Sequence, residues 1–163
     1  MYFMKLIITD IGMYPGRISK DDCVISSGNI NPCRGCFGCW TRTPGACVIN
    51  DDISDMGALL SRCDELVIVS RCYYGSYSPF VKCVLERCLP YVHPDFEIRN
   101  GKMRHKRRYT NSFEINAYFY GEDITEKDKE TAVKLIRANA ENLSAKAGSV
   151  TFFKEAWKIG GLA

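Results

Sequence analysis

Five short runs of apolar residues, rich in β-branched and aromatic side chains, divide the chain and predict β-strands. They lie at Lys5–Asp10, Cys23–Ser26, Glu65–Ser70, Glu114–Gly121 and Val150–Phe153. The third run, ELVIVS, is almost continuously apolar, as expected for a strand that is buried on both faces of a parallel sheet.

Between the later runs, apolar residues recur at helical spacing behind recognisable start signals. Asp51 or Asp52 is a candidate N-cap for a first helix, which carries Ile53, Met56, Leu59, Leu60 and Cys63 on one face. Ser78-Pro79 predicts a second helix that Pro90 stops. Thr125-x-x-Asp128 is a capping box that opens a long helix ending near Gly148.

Strands that alternate with helices predict an α/β fold with a mostly parallel five-stranded sheet and three αβα layers. Ligands of such folds bind beyond the carboxyl ends of the strands. The first connection, Ile11–Asp21, contains Pro15 and Gly16 and shows no helical periodicity. The sequence therefore predicts that the first βα unit is shortened and lacks a helix.

Length and composition narrow the class of protein. At 163 residues the chain is predicted to form a single domain, residues 1–163. A net charge of +3 does not favour nucleic acid, and no apolar run reaches the roughly 20 residues of a membrane span. The first residues lack a basic stretch and a small-residue cleavage site, so we expect a cytoplasmic protein. Nine cysteines in a reducing compartment favour metal binding, catalysis or burial over disulfides.

Four of the cysteines follow the second predicted strand at the spacing C-x2-C-x2-C-x7-C. They are Cys33, Cys36, Cys39 and Cys47. Four thiolates suit a 4Fe–4S cluster, and they also suit a closed zinc site, although zinc more often uses two separated C-x2-C pairs. The third interpretation is a metal-free loop of thiols that packs near a cofactor or at an interface.

The order of motifs resembles a known family. The chain reads P-C-x-G-C-x-x-C-W, then G-x-C-V-I-x-D-D, an amphipathic helix and a buried strand. A Tyr-Tyr-Gly-Ser turn follows, and the next helix carries Lys82 and Arg87. This order resembles the flavodoxin-like NAD(P)H-dependent FMN reductases, including their iron–sulfur flavoprotein branch.

The resemblance implies a flavodoxin-like fold, bound FMN, NAD(P)H as the reductant, and a 4Fe–4S cluster on Cys33, Cys36, Cys39 and Cys47. It also implies a homodimer and a small-molecule or protein electron acceptor. The turn that it assigns to the flavin ring is Arg71, Cys72, Tyr73, Tyr74, Gly75 and Ser76. Gly121 and Glu122, at the carboxyl end of the fourth predicted strand, are expected to face the same ring. Arg71 replaces the family's usual proline, and the short Ile11–Asp21 segment replaces its phosphate-binding loop and helix.

Three functions follow from these patterns. The first is an NAD(P)H-dependent FMN oxidoreductase, the second is an iron–sulfur electron carrier, and the third is a cofactor-free binding protein. The basic run Lys102–Arg108 is either a clamp for nucleotide phosphates or a solvated loop between a helix and a strand. His105 within that run is a candidate proton donor, and His93 is expected to be structural.

Overall fold

The computed structural model describes residues 3–161 and contains seven strands within them. Their bounds are β1 Lys5–Thr9, β2 Cys23–Ile25, β3 Glu65–Arg71, β4 Val92–Arg99, β5 Lys102–Arg107, β6 Glu114–Tyr120 and β7 Lys146–Phe153. Five of them form a parallel sheet in the order β2-β1-β3-β6-β7, and β4 pairs with β5 as a separate antiparallel hairpin. The α/β, flavodoxin-like fold is therefore confirmed.

Two of the four α-helices begin at a side chain that caps them. Their bounds are α1 Gly38–Thr41, α2 Met56–Arg62, α3 Pro79–Glu86 and α4 Glu126–Leu143, with 3₁₀ turns at Leu89–Tyr91 and Ala156–Gly161. Ser78 caps α3 by accepting the amide of Val81, and Thr125 with Asp128 forms the predicted capping box of α4. Among these described helices, none is long and apolar enough to cross a membrane.

One face of the sheet carries the main core. Its strands contribute Leu6, Ile8, Leu66, Ile68 and Ile115, which pack against α2, α3 and α4. These side chains are at most 1% exposed, and burying each one stabilises the fold by about 1.5–3 kcal/mol. The core fixes the position of the sheet's carboxyl edge, where the candidate site residues lie.

The opposite face is covered without a long helix. Ile7, Val67 and Val69 pack against Tyr14 from the first connection and Ile159 from the last 3₁₀ turn. The connection between β1 and β2 nevertheless returns the chain in parallel, with Leu6 beside Cys23. The prediction of a shortened first βα unit is confirmed.

One of the two interpretations of the basic run, a solvated loop between a helix and a strand, is wrong. Lys102–Arg107 is instead a strand, β5, which pairs with Val92–Arg99. Asn100 and Gly101 connect the two strands with φ angles of 51° and 74°. Asn-Gly is the preferred pair for such a tight hairpin turn, so the sequence did contain a signal for it.

Two helix boundaries also differ from the prediction. Helix α2 begins at Met56, with Asp55 at its N-cap position, so neither Asp51 nor Asp52 caps it. Helix α4 ends at Leu143, because Ser144 adopts a left-handed conformation with φ of 56°. The residues before Gly148 already belong to β7, which begins at Lys146.

Candidate functional site

The four clustered cysteines lie on one loop between β2 and α2. Cys39 is buried in the short helix α1, Cys33 and Cys47 are half-buried, and Cys36 is exposed. All four are free thiols. The candidate metal ligands of the sequence therefore share one loop and differ in their exposure.

Tight backbone turns shape this loop. Gly35 and Phe37 both have positive φ angles, 63° and 54°, which reverse the chain between successive cysteines. A Cβ atom at Gly38 would lie 2.6 Å from a Val48 methyl group and 3.5 Å from the Cys36 sulfur. The two arms of the loop thus pack so closely that only glycine fits at position 38.

The thiols influence one another electrostatically. Burial raises the pKa of the Cys39 thiol, and the neighbouring Cys47, Cys33 and Cys36 raise it further. Ligation of a metal requires thiolates, so a cation within this group would offset their mutual repulsion. The donor chemistry fits a 4Fe–4S cluster, which takes four cysteine thiolates. Within residues 3–161, however, no three His, Cys, Asp or Glu side chains form a group that could hold a metal ion.

A buried ion pair joins the two ends of the cysteine loop. Arg87, at the end of α3, donates hydrogen bonds of 2.7 and 2.8 Å to the two carboxylate oxygens of Asp51. It also donates to the carbonyls of Asn31, at 2.6 Å, and Ile49, at 3.4 Å. Asn31 precedes Cys33 and Ile49 follows Cys47, so one guanidinium holds both ends of the loop.

Both side chains of this pair are 0% exposed, so removing either charge would leave the other buried and unpaired. Asp51 additionally accepts the Asn31 amide at 2.9 Å. The positive charge of Arg87 also interacts with Cys47. The local sequence suggested a helix cap for Asp51 because its actual partner, Arg87, is 36 residues away.

The Asp51–Arg87 pair predicts a pH dependence of stability. The hydrogen bonds from Arg87 hold the pKa of the Asp51 carboxyl well below its usual value of 3.8. A carboxyl with a lowered pKa stabilises the folded state above its ordinary pKa, and this contribution is lost as the pH falls further. We expect urea unfolding to show wild-type stability falling more steeply below about pH 4 than that of Asp51→Asn. Parallel curves for the two proteins would contradict this expectation.

Aromatic residues cover the loop on the side of the hairpin. Phe37 and Trp40 stack with ring centroids 5.4 Å apart, and the Trp40 indole donates to the Val92 carbonyl at 3.0 Å. His105 of β5 lies 5.0 Å from the Trp40 ring. The hairpin therefore supports the cysteine loop, and His105 packs against aromatic rings. His93 lies half-buried in β4.

The residues that the resemblance assigns to a flavin lie at the carboxyl end of β3. Arg71 ends the strand, Cys72 is buried, and Tyr73 and Ser76 exchange backbone hydrogen bonds of 2.9 and 2.8 Å. Tyr74, at the tip of the turn, is 92% exposed. Between this turn and the start of α4 lies a cavity of about 570 Å³, whose lining includes Arg71, Tyr73, Tyr74 and the carboxylates of Asp123 and Asp128.

Gly121 and Glu122 follow β6 at the same edge of the sheet but are not among the residues that line this cavity. Gly121 donates its amide to the Phe153 carbonyl at 3.0 Å, and Glu122 is exposed. Their assignment to the flavin ring stays a prediction.

Gly75 packs against helix α4. Its φ is 77°, and an added Cβ would lie 2.6 Å from the Thr131 Cβ and 2.7 Å from the Asp128 carbonyl. Gly101 has a similar φ of 74° with nothing within 4 Å, so it is a matched control. We expect Gly75→Ala to lower the free energy of unfolding by about 1–3 kcal/mol more than Gly101→Ala in denaturant titrations. Equal losses would show that the turn does not pack against α4.

A carboxylate lies beyond the end of β1, at the edge where doubly wound folds bind phosphate. Asp10 accepts the Arg71 amide at 2.9 Å and the Tyr120 hydroxyl at 3.0 Å. Burial and the charge of Asp10 raise the pKa of Tyr120 to about 12. Residues 10–22, which connect β1 to β2, contain no helix that could direct amides at an anion, and Asp10 repels one. These residues do not fit the phosphate of FMN at this edge.

No protein-family model matches the chain. Curated proteins that are similar to it include an iron–sulfur flavoprotein of Archaeoglobus fulgidus, 36% identical over 69 residues, which are 42% of this chain and 30% of that protein. An iron–sulfur flavoprotein of Methanosarcina thermophila is 26% identical over 80 residues, 49% of this chain and 41% of that protein. One of Methanocaldococcus jannaschii is 29% identical over 76 residues, 47% of this chain and 38% of that protein.

The similar segments span 30% to 41% of the length of these three relatives. Each relative is named for both an iron–sulfur centre and a flavin, and no name specifies NAD(P)H or FMN reduction. The comparisons therefore support a relationship between this chain and the flavodoxin-like iron–sulfur flavoproteins.

Proposed function

We propose that this protein is an electron carrier in which Cys33, Cys36, Cys39 and Cys47 ligate a 4Fe–4S cluster. The observation that carries this proposal is the presence of four free thiols on one loop whose ends are joined by the buried Arg87–Asp51 pair. When bound, such a cluster exchanges single electrons. The names of the relatives favour this electron-carrier function over NAD(P)H-dependent FMN reduction.

The chain's own residues have distinct parts in this function. The four thiolates hold the metal, and Arg87 fixes the approach of both loop arms. Phe37 and Trp40 stack on the hairpin side of the loop, and solvent exposure is one factor that sets the potential of a cluster. Because the thiols do not form a metal-binding group here, we expect them to move closer together when the cluster forms.

The proposal of a bound flavin rests on the names of the relatives and not on the geometry of a binding site. Arg71–Ser76 with Gly121 and Glu122 remains the region proposed to face a flavin ring, while the edge at Asp10 does not fit its phosphate. NAD(P)H as reductant, a protein or small-molecule acceptor, and a homodimer are parts of the proposal that follow from the resemblance.

An anaerobic redox titration tests the electron-carrier function. Wild-type protein is incubated with iron and sulfide, desalted, and titrated in both directions while the visible absorbance is recorded. We expect a reversible one-electron change that is absent from protein incubated without sulfide. The absence of any reversible change in the iron-containing protein would contradict the proposal. NADPH-dependent reduction of added FMN by protein without iron would instead favour the reductase.

A further inference from the structure

A cavity of about 740 Å³ lies between α3, α4 and the β4–β5 hairpin. The core residues Leu66, Ile68 and Ile115 border its innermost part, Leu85 of α3 and Leu143 of α4 form its sides, and Phe96, Met103 and His105 of the hairpin line its opening. Small-molecule sites in proteins commonly measure about 300–1,000 Å³ and are mostly apolar. Its size and lining therefore match a binding site for a small apolar molecule.

Two large apolar side chains of the hairpin line this cavity and are more than half exposed to solvent. Phe96 is 55% exposed and Met103 is 67% exposed, and both line the cavity. Phe96 lies on β4 and Met103 on β5, so both strands of the hairpin expose a large apolar side chain at the same opening. Exposed apolar side chains that border a concave surface mark a binding site more often than scattered ones do.

The cavity wall continues as a row of aromatic rings toward the cysteine loop. Phe96 stacks on His105 with centroids 4.4 Å apart, His105 lies 5.0 Å from Trp40, and Trp40 stacks on Phe37 at 5.4 Å. Cys33 and Gly35 of the loop line the same cavity. A planar ligand can extend this row by stacking, and it would then lie against one of the four thiols.

The polar groups at the cavity restrict the charge of the ligand. Arg104 already binds Glu141 and the Met103 carbonyl, so its charge is balanced. Glu86 is paired with Lys82. His105 lines the cavity, and its Nδ1 atom is buried without a hydrogen-bond partner among the described residues. An uncharged ligand with a single hydrogen-bonding group fits this set best.

We propose that the cavity between α3, α4 and the β4–β5 hairpin binds a planar, uncharged aromatic molecule. A ligand ring stacks on Phe96, the apolar body packs between Leu85 and Leu143, and Nδ1 of His105 binds one polar substituent. This site is separate from the turn at Arg71–Ser76, and it adjoins the cysteine loop at Cys33 and Gly35.

The test uses N-phenyl-1-naphthylamine, an uncharged aromatic probe whose fluorescence increases in apolar surroundings, with the full chain as purified. We expect saturable binding, and we expect Met103→Glu to weaken it about tenfold or more, because the carboxylate must be desolvated at the cavity mouth. Ile98→Glu is the matched control. Ile98 pairs with Met103 across the hairpin and is 79% exposed, but it does not line the cavity. Binding by this variant should stay within about twofold of wild type.

Two outcomes would overturn the proposal. The first is probe binding that is not saturable or that both variants weaken equally. The second is a stable dimer in sedimentation experiments that excludes the probe and that both variants dissociate, since a second copy of the chain would then cover the cavity. The probe assay needs no iron, so absence of probe binding would not contradict the electron-carrier proposal. Likewise, absence of a reversible redox change would not contradict the proposed cavity site.

Discussion

Asp51→Asn is expected to lower the free energy of unfolding by about 3–5 kcal/mol, because it leaves the buried guanidinium of Arg87 without a counter-charge. Asp51 receives both hydrogen bonds of that guanidinium at 2.7 and 2.8 Å, and neither side chain reaches solvent. Asparagine keeps the shape of the side chain but removes its charge. Denaturant titration at neutral pH measures the loss.

Asp52→Asn is the matched control for this substitution. Asp52 is adjacent and exposed, and it accepts one amide hydrogen bond, from Asn29 at 2.8 Å. Its replacement should cost about 1 kcal/mol or less. If Asp51→Asn were no more destabilising than Asp52→Asn, the buried pair would not be what holds the ends of the cysteine loop together.

Cys39→Ser is expected to abolish retention of a 4Fe–4S cluster after anaerobic incubation with iron and sulfide. Cys39 is the buried member of the four, so its thiolate is the ligand that solvent competes with least. Serine is nearly isosteric but is a poor ligand for a cluster whose irons prefer thiolate. Bound iron and acid-labile sulfide, determined after desalting, should fall to background.

Cys23→Ser is the control variant, because it removes a cysteine that is not a proposed cluster ligand. Cys23 is half-buried in β2, outside the loop. This variant should retain the wild-type content of iron and sulfide. Circular dichroism of both variants before incubation would show that the sheet is intact. Equal iron content in Cys39→Ser and Cys23→Ser would remove Cys39 from the ligand set.

The parallel sheet could be predicted because its information is local. Strand β3 is an apolar run long enough to identify a doubly buried strand, and Ser78 and Thr125 carry capping signals within four residues of their partners. The lack of helical periodicity between β1 and β2 likewise predicted the shortened first unit, since a helix needs such a pattern to pack.

The hairpin was missed because it lies outside the sheet. Strand β5, with the sequence KMRHKR, is mostly exposed and therefore shows no alternation of apolar and polar residues. Only the Asn100-Gly101 pair indicated the turn. The cavity beside the hairpin could not be predicted either, because the residues that line it come from elements far apart in the sequence.

The sequence predicts which residue types form the candidate site but not the contacts that these residues make. The cysteine spacing identified the four thiols, but Asp51 has the same local pattern whether it caps a helix or binds Arg87. The carboxylate of Asp10 at the edge where phosphate would bind depends on contacts with Arg71 and Tyr120, which no local pattern reveals.

The most direct test of the central claim is a Mössbauer spectrum of the wild-type protein reconstituted anaerobically with iron-57 and sulfide. The proposed cysteine ligation predicts the spectrum of a four-iron cluster, with about four irons and four sulfides per chain. A spectrum of isolated iron ions, or less than about one bound iron per chain, would contradict it.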